Sequence, residues 1–230
     1  MSGQAEKTIL FRAIGADVAG NLDPLVDPAL ELHGPNGELI ASNNNWADTQ
    51  QAEIELANLA PIVPNDAALL IDLLPNSYTA IVRGQDGGSG IALVEAYDLS
   101  GFADSTLANV SSRGQVGTGD DVLIAGFILG GGGGGSTRVA VRALGPSLGL
   151  NGEGLSDPTI ELYDGDGLLL GSNDNWKDTQ EQEISSAGLA PGDDAEAALI
   201  MTLPPADYTA IVRGKDETSG IALVEVYRLE

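Results

Sequence analysis

Short apolar runs separated by turn-forming residues organise the whole chain. The runs are rich in Val, Ile, Leu and Ala, and Gly, Pro, Asn and Asp stand between them. This pattern is typical of an all-β sandwich, in which short strands are joined by tight turns. In the first part of the chain, the predicted strands are Ile9–Ala13, Leu30–His33, Leu39–Ser42, Ala67–Leu73, Tyr78–Arg83 and Ile91–Tyr97.

The same pattern returns after an offset of 130 residues. Asp27–Leu99 and Asp157–Leu229 are identical at 41 of 73 positions and align without a gap. A repeat of this length is too long for a solenoid or propeller unit, so each copy should have its own core. The sequence therefore predicts two tandem, jelly-roll-like β-sandwich domains, at residues 1–100 and 101–230.

Two further strands are predicted only once, at Leu107–Ser112 and Val122–Leu129. The glycines of Gly130–Gly135 follow them as a flexible loop or linker, and strand Arg138–Ala143 comes next. The first copy begins at Thr8 without an equivalent of these two strands. One domain is therefore expected to be complete and the other to be short of two strands, unless both domains share the single pair.

Local patterns add three expectations about each copy. A short helix should begin at Asp48 or Asp178, whose carboxylate can cap the first N–H groups. Tyr78–Tyr97 should form a hairpin that places Arg83 and Glu95 on one face. The offset also predicts one inward-facing set, which is Ala80, Val82, Ala92 and Val94 in the first copy.

Composition narrows the classes of function. Ten Lys and Arg residues stand against 34 Asp and Glu, a formal charge of −24, which opposes binding to nucleic acid or to an anionic membrane. The chain has no cysteine, so disulfides, thiolate metal sites and cysteine nucleophiles are excluded. No apolar run approaches the roughly 18 residues of a membrane span. Residues 1–7 are polar, so no signal peptide is expected there.

Two asparagine-rich loops are candidate metal sites. Calcium takes oxygen ligands from carboxylates, amide groups and the backbone, and both loops are dense in such oxygens, although their spacing differs from that of an EF-hand. Alternatively, the same side chains bond to the local backbone in a long turn. Calcium is thus the candidate cofactor, and its candidate ligands are Asn43, Asn45, Asp48, Asn173, Asp174, Asn175 and Asp178.

The two tryptophans, Trp46 and Trp176, occupy the same place in the two loops. Exposed indoles would offer a stacking platform for a polysaccharide, whereas buried indoles would anchor the loops. Charged residues inside apolar strands must face solvent or be paired. We interpret them as structural charges on an outer sheet face: Arg12, Arg83, Glu95, Arg142, Arg213 and Glu225.

Several segments resemble a β-sandwich module that is repeated in large secreted proteins of environmental bacteria. The resemblance covers Leu107–Tyr227 and Ile9–Tyr97, through RGQVGTGDDVLIAGFIL, RVAVRALGPSL, DPTIELYDGDGLLLGSNDNW, AALIMTLPPADYTAIVRG and SGIALVEVY. The strand, acidic turn and Leu-Pro-Pro pattern is also similar to the bacterial pre-peptidase C-terminal domain. Both resemblances imply a non-catalytic accessory module of a secreted enzyme or bacterial surface protein. The first copy departs from the module because the opening strands are missing.

Three functions are consistent with these observations. The first is a non-enzymatic extracellular or cell-surface module pair, which acts as a spacer, adhesion or accessory unit beside neighbouring domains of a larger protein. The second is a calcium- or carbohydrate-binding module. The third is a structural subunit that assembles with identical subunits by strand exchange, because a sheet short of an edge strand leaves backbone groups unpaired.

Overall fold

The structure, a computed structural model, describes residues 1–16, 18, 23–101, 105–130 and 135–229. Glycines 131–134 of the predicted loop lie outside the described residues. The chain divides into two units, Met1–Leu107 (unit 1) and Ala108–Glu230 (unit 2). Antiparallel strands dominate both units, which confirms the predicted all-β sandwich class. In the described part of the chain, no helix has the length and apolar character needed to cross a membrane.

The described residues of unit 1 form eight strands and one α-helix. The strands are β1 Ser2–Gly3, β2 Lys7–Ile14, β3 Pro28–His33, β4 Leu39–Asn43, β5 Ala67–Leu73, β6 Thr79–Gly84, β7 Leu93–Asp98 and β8 Ser105–Thr106, and the helix is α1 Gln51–Leu56. Two three-stranded sheets, β5-β2-β7 and β4-β3-β6, form the sandwich, and β1 pairs with β8.

Eight strands and the equivalent α-helix are formed by the part of unit 2 that the structure describes. The strands are β9 Asn109–Val116, β10 Leu123–Ile128, β11 Thr137–Leu144, β12 Pro158–Asp164, β13 Leu169–Asn173, β14 Ala197–Leu203, β15 Asp207–Gly214 and β16 Gly220–Leu229, and the helix is α2 Glu181–Ser186. The sheets have the orders β14-β11-β16-β9 and β10-β15-β12-β13. This interleaving of the first and last strands is that of an eight-stranded jelly roll.

The strands that occur once in the sequence both pair within unit 2. β9 pairs with β16, and β10 pairs with β15 in the opposite sheet. The two strands therefore close one long edge of the sandwich, one strand in each layer. We call Asn109–Ile128 the closing segment. Among the described residues of unit 1, no strand takes the equivalent position beside β6 or β7.

Alternation of apolar and polar side chains explains the layers. In β12, Ile160 and Leu162 are fully buried between the sheets, whereas Glu161 between them faces outward. The core of unit 2 draws on both sheets, and a second, smaller cluster lies on the outer face beneath α2, where Trp176 and Ile184 are buried. Unit 1 repeats both clusters with fewer buried members.

Two local predictions were wrong. Tyr78–Tyr97 does not form a hairpin, because β6 pairs with β3 and β7 pairs with β2 in the other sheet. The connection crosses from one layer to the other, so Arg83 and Glu95 do not share a face. The helix begins at Gln51, not at Asp48, and its N-cap makes no side-chain hydrogen bond. Asp48 instead lies in the preceding turn, where its N–H donates to the carbonyl of Asn45.

Candidate functional site

The asparagine-rich loops cover one edge of a sheet in each unit. In unit 1, the Asn43 side-chain oxygen accepts from the Ala68 N–H at 3.0 Å. The Gln50 side-chain amide makes two hydrogen bonds to the backbone of Leu70. Its oxygen accepts from the Leu70 N–H at 3.0 Å, and its nitrogen donates to the Leu70 carbonyl at 2.7 Å. These side chains act as a substitute strand along β5, which satisfies backbone groups that an edge strand would leave unpaired.

Unit 2 repeats this arrangement at the predicted offset. The oxygen of Asn173 accepts from the Ala198 N–H at 2.9 Å, and Gln180 makes both bonds to Ile200. The amide of Asn175 donates to Asp178 at 3.3 Å, as that of Asn45 does to Asp48 at 3.2 Å. The predicted ligand residues thus lie together in each loop, and most of their polar atoms bond within the loop or to the adjacent strand. Calcium binding by this set stays a prediction.

The two tryptophans differ in burial. Trp176 is 6% exposed, its Nε1 donates to the Asp193 carbonyl at 3.1 Å, and the Lys177 ammonium lies 5.2 Å from the ring centroid. Trp46 is half-buried, and its Nε1 has no hydrogen-bond partner. The buried indole of unit 2 anchors its loop, whereas the indole of unit 1 keeps part of its surface free. Polysaccharide stacking on either ring stays a prediction.

A lysine distinguishes the second loop from the first. Lys215 Nζ lies 2.6 Å from an oxygen of Asp174 and 3.8 Å from an oxygen of Asp157. Burial raises the pKa of Asp157, the charges of Asp174 and Asp216 add to the rise, and the Lys215 ammonium opposes it. In unit 1 the corresponding residues are Asp27, Asn44 and Gln85, so the repeat has no ammonium at this place.

Buried oxygens without a hydrogen-bond partner remain at this place in both units, and in unit 2 they are Oδ1 of Asp157 and Oδ1 of Asp174. The Oδ1 atoms of Asp27 and Asn44 are buried and have no hydrogen-bond partner. An oxygen without a donor is costly to bury, so a cation or water at this position would remove the penalty. Both side chains are oxygen donors of the kind that calcium prefers. The sequence pattern included Asp174 and missed Asp157 and Lys215, which only the fold brings together. It also missed their counterparts in the first copy, Asp27 and Asn44.

An arginine, a glutamate and a tyrosine form a hydrogen-bonded charged cluster in each unit. Arg12 donates from Nε and Nη2 to one oxygen of Glu95, at 2.8 and 2.5 Å, while the Tyr97 hydroxyl donates to the other at 2.7 Å. Arg12 Nη1 also donates to the Leu59 carbonyl at 2.8 Å, which fastens the segment after α1 to the sheet. These groups lie on the outer sheet face, as predicted, but in direct contact with each other.

The cluster of unit 2 has the same geometry. Arg142 pairs with Glu225 and donates to the Leu189 carbonyl at 2.9 Å, and the Tyr227 hydroxyl donates to Glu225 at 2.9 Å. Burial and the neighbouring glutamate raise the pKa of Tyr227 and that of Tyr97. Since both copies keep all three residues, the repeat itself could have revealed this cluster before the structure did.

One long edge of unit 1 is open where the same edge of unit 2 is closed. In unit 2, the inward-facing residues of β15 and β16 are buried, and Val212, Ala222 and Val224 are each 0% exposed. Their counterparts Val82 and Ala92 are only half-buried, and Val94 is 46% exposed. The offset therefore predicts the inward orientation, but not the burial. We call the uncovered side of β6 and β7, with Ala80, Val82, Ala92, Val94 and Ala96, the open edge.

Comparisons with known proteins give only weak similarities. No protein-family model and no curated protein matches the sequence. The chain is similar to the pre-peptidase C-terminal domain of collagenase from Bacillus anthracis, with 12% identity and a TM-score of 0.34, over 52% of this chain and 89% of that one. It is also similar to the major capsid protein P2 from bacteriophage PM2, with 11% identity and a TM-score of 0.25, over 100% of this chain and 90% of that one. These values assign the chain to no family.

Proposed function

We propose that the chain is a non-catalytic pair of β-sandwich modules, which serves as a spacer, adhesion or accessory unit of a larger secreted or surface protein. The observation that carries the proposal is the structural role of the arginine–glutamate–tyrosine clusters. Glu95 and Glu225 each accept hydrogen bonds on both oxygens, from an arginine and a tyrosine of the same sheet face. The arginines of the two clusters also bind the segment after the helix, through the carbonyls of Leu59 and Leu189. The cluster therefore has the same structural role in both units.

Catalysis would require a different arrangement of carboxyl groups. A glycosidase needs two carboxyl groups that flank the substrate and hold different protonation states. Here Glu95 is 19% exposed and Glu225 is 11% exposed, and each is neutralised by its arginine. A general acid or base must lie within hydrogen-bond reach of the reacting atom, whereas the oxygens of both glutamates are occupied by side chains of their own sheet face.

The test is an activity screen of the full chain against peptide, ester and polysaccharide substrates. We expect no turnover above that of buffer. Turnover that disappears in Glu95→Gln or Glu225→Gln would overturn the proposal. Thermal unfolding of each variant provides the control, since a variant that has lost its fold would lose activity for another reason.

A second candidate function is calcium binding in unit 1. It is favoured by charge. The buried Oδ1 atoms of Asp27 and Asn44 lack hydrogen-bond partners, as do those of Asp157 and Asp174, but the unit 2 pair has the Lys215 ammonium beside it. The lysine supplies a positive charge to Asp157 and Asp174, whereas the unit 1 group has none from the equivalent residue, Gln85. A calcium ion would supply that charge and coordinate the two free oxygens.

Thermal unfolding with and without calcium tests this candidate. A ligand that binds only the native state stabilises it by RT ln(1 + [L]/Kd). The midpoint temperature of unit 1 unfolding should therefore rise when calcium is added and fall when a chelator removes it. The variant Gln85→Lys should stabilise unit 1 without calcium and remove the response. A transition that is unchanged across millimolar calcium would remove this candidate and leave the module function standing.

A further inference from the structure

We infer that the open edge of unit 1 is an acceptor site for a two-strand segment that has the chemistry of the closing segment and comes from outside residues 1–230. This inference rests on the proposed module function and names its partner. The strands that would receive the segment are nearly the same in both units. Thr79–Gly84 and Thr209–Gly214 have identical sequences, as do Gly90–Glu95 and Gly220–Glu225. The edge that binds β9 and β10 in unit 2 is thus present in unit 1.

The missing contacts are both polar and apolar. In unit 2, β9 pairs with residues 220–227 of β16 and β10 pairs with residues 207–212 of β15, which provides partners for most of the outer backbone groups. No described strand does this for β7 and β6. Met1 and Leu107 pack against the unit 1 core, yet Val94 stays 46% exposed. An edge with unpaired backbone and an apolar interior favours the addition of further strands.

The side chains of the closing segment fit this interior. In unit 2, Leu123, Ala125 and Phe127 of β10 face the core, and Phe127 stacks on Tyr208 with ring centroids 5.4 Å apart. Tyr78 stands in the place of Tyr208 in unit 1. The register of unit 2 therefore assigns a register to the bound segment, with Leu123, Ala125 and Phe127 opposite Val82, Ala80 and Tyr78.

A second copy of the chain is a poorer occupant than an added segment. The chain has one closing segment and two edges, so exchange between copies would uncover Val212 and Val224 in unit 2 whenever it covered unit 1. Direct pairing of two open edges would extend one sheet but would insert no side chains between the layers. It would also bring together two chains of charge −24 each, which repel.

A synthetic peptide with the sequence of residues 107–129 tests the inference on the full chain. We expect saturable one-to-one binding by fluorescence anisotropy. Val94→Asp should weaken it at least about tenfold, because the new carboxylate would be buried beneath the peptide. Ile62→Asp adds the same charge at a residue that is 81% exposed and away from the edge, and should leave binding unchanged. Circular dichroism verifies that both variants keep their fold.

The absence of cysteine from the chain makes a register test possible. Ala80→Cys in the protein should form a disulfide with Ala125→Cys in the peptide, since directly opposed residues of antiparallel strands lie within disulfide reach. A peptide with Gly126→Cys carries its thiol on the opposite face and should cross-link poorly.

Several outcomes would overturn the inference. These are no binding at about 100 μM peptide, binding that Val94→Asp does not change, and equal cross-linking of the two peptides. A dimer in light scattering that Val94→Asp dissociates would show instead that a second copy occupies the edge. None of these results bears on the activity screen, so the module function would be judged separately.

Discussion

At the scale of single residues, the two tryptophans occupy equivalent positions but should contribute differently to the free energy of unfolding. Trp176 is buried and hydrogen-bonded, so Trp176→Ala should lower the free energy of unfolding of unit 2 by about 3–5 kcal/mol. Trp46 is half-buried and lacks a partner for its indole N–H, so Trp46→Ala should lower that of unit 1 by less. Denaturant unfolding measures both.

Each unit has one tryptophan, so fluorescence can report the unfolding of one unit at a time. Trp46→Phe leaves only Trp176 fluorescence, and Trp176→Phe leaves only Trp46, so each transition can be followed by itself. A loss below roughly 1 kcal/mol for Trp176→Ala would contradict the anchoring role and favour a ligand platform.

At the scale of the elements, the closing segment buries the inward side chains of β15 and β16, whereas those of β6 and β7 stay partly exposed without it. Val94 and Val224 face the same way from equivalent strands, but Val94 is 46% exposed and Val224 is 0% exposed. Val224→Ala should therefore cost about 2 kcal/mol of stability, through lost burial and a cavity. Val94→Ala should cost less than about 0.5 kcal/mol. Equal losses would show that the edge of unit 1 is covered in solution.

Most of the strands could be predicted from the sequence, because the 130-residue repeat and the alternation of apolar and polar residues are both visible within short segments. Each predicted strand of both copies overlaps a strand of the structure, and the inward face of β12 follows from alternation alone. Partner choice was harder to predict. The short connection after β6 looks like a hairpin loop, but β6 and β7 lie in opposite layers, and only the packing of the two sheets decides this.

The candidate site was predictable only in part for a related reason. Asn43, Asn45 and Asp48 lie close in sequence, so their loop was visible as a cluster of oxygens. The pairing of Arg12 with Glu95 and of Lys215 with Asp157 joins residues far apart in the chain. Such contacts follow from strand order and register, which a single apolar pattern does not encode.

The glycine run joins β10 in one sheet to β11 in the other, and its length can be tested by deletion. Loop-closure entropy rises only with the logarithm of length, so removing two residues from Gly130–Gly135 should change stability by well under ~1 kcal/mol. Denaturant midpoints and light scattering of the deletion variant measure this. Unfolding of unit 2, or a new oligomeric state, would show instead that the run positions the closing segment.

At the scale of the whole molecule, alkaline pH should weaken the fold through its tyrosines. All five have a raised pKa, namely Tyr78, Tyr97, Tyr163, Tyr208 and Tyr227. Burial is the main cause for four of them, and for Tyr163 it is the hydrogen bond to Glu161. The usual tyrosine pKa of 10.0 applies in the unfolded chain, which therefore releases these protons first.

The sign of the pH dependence follows from this order. Below the unfolded pKa both states hold the proton and the contribution to stability is complete; as pH rises through the folded pKa, the contribution is lost. The raised pKa values of Lys177 and Lys215 act in the same direction. We therefore expect the free energy of unfolding to be flat from about pH 8 and to fall above about pH 10.

A matched pair of variants connects this dependence to the closing segment. Tyr208 and Tyr78 donate the same hydrogen bond, to Pro204 at 2.7 Å and to Leu74 at 2.8 Å, but only Tyr208 lies beneath Phe127 and is 3% exposed. Tyr208→Phe should therefore flatten the alkaline decline more than Tyr78→Phe does. The ultraviolet absorbance of tyrosinate follows the ionisation directly. Equal slopes for the two variants, or the same titration midpoint with and without denaturant, would mean that coverage by the closing segment does not hold the Tyr208 proton.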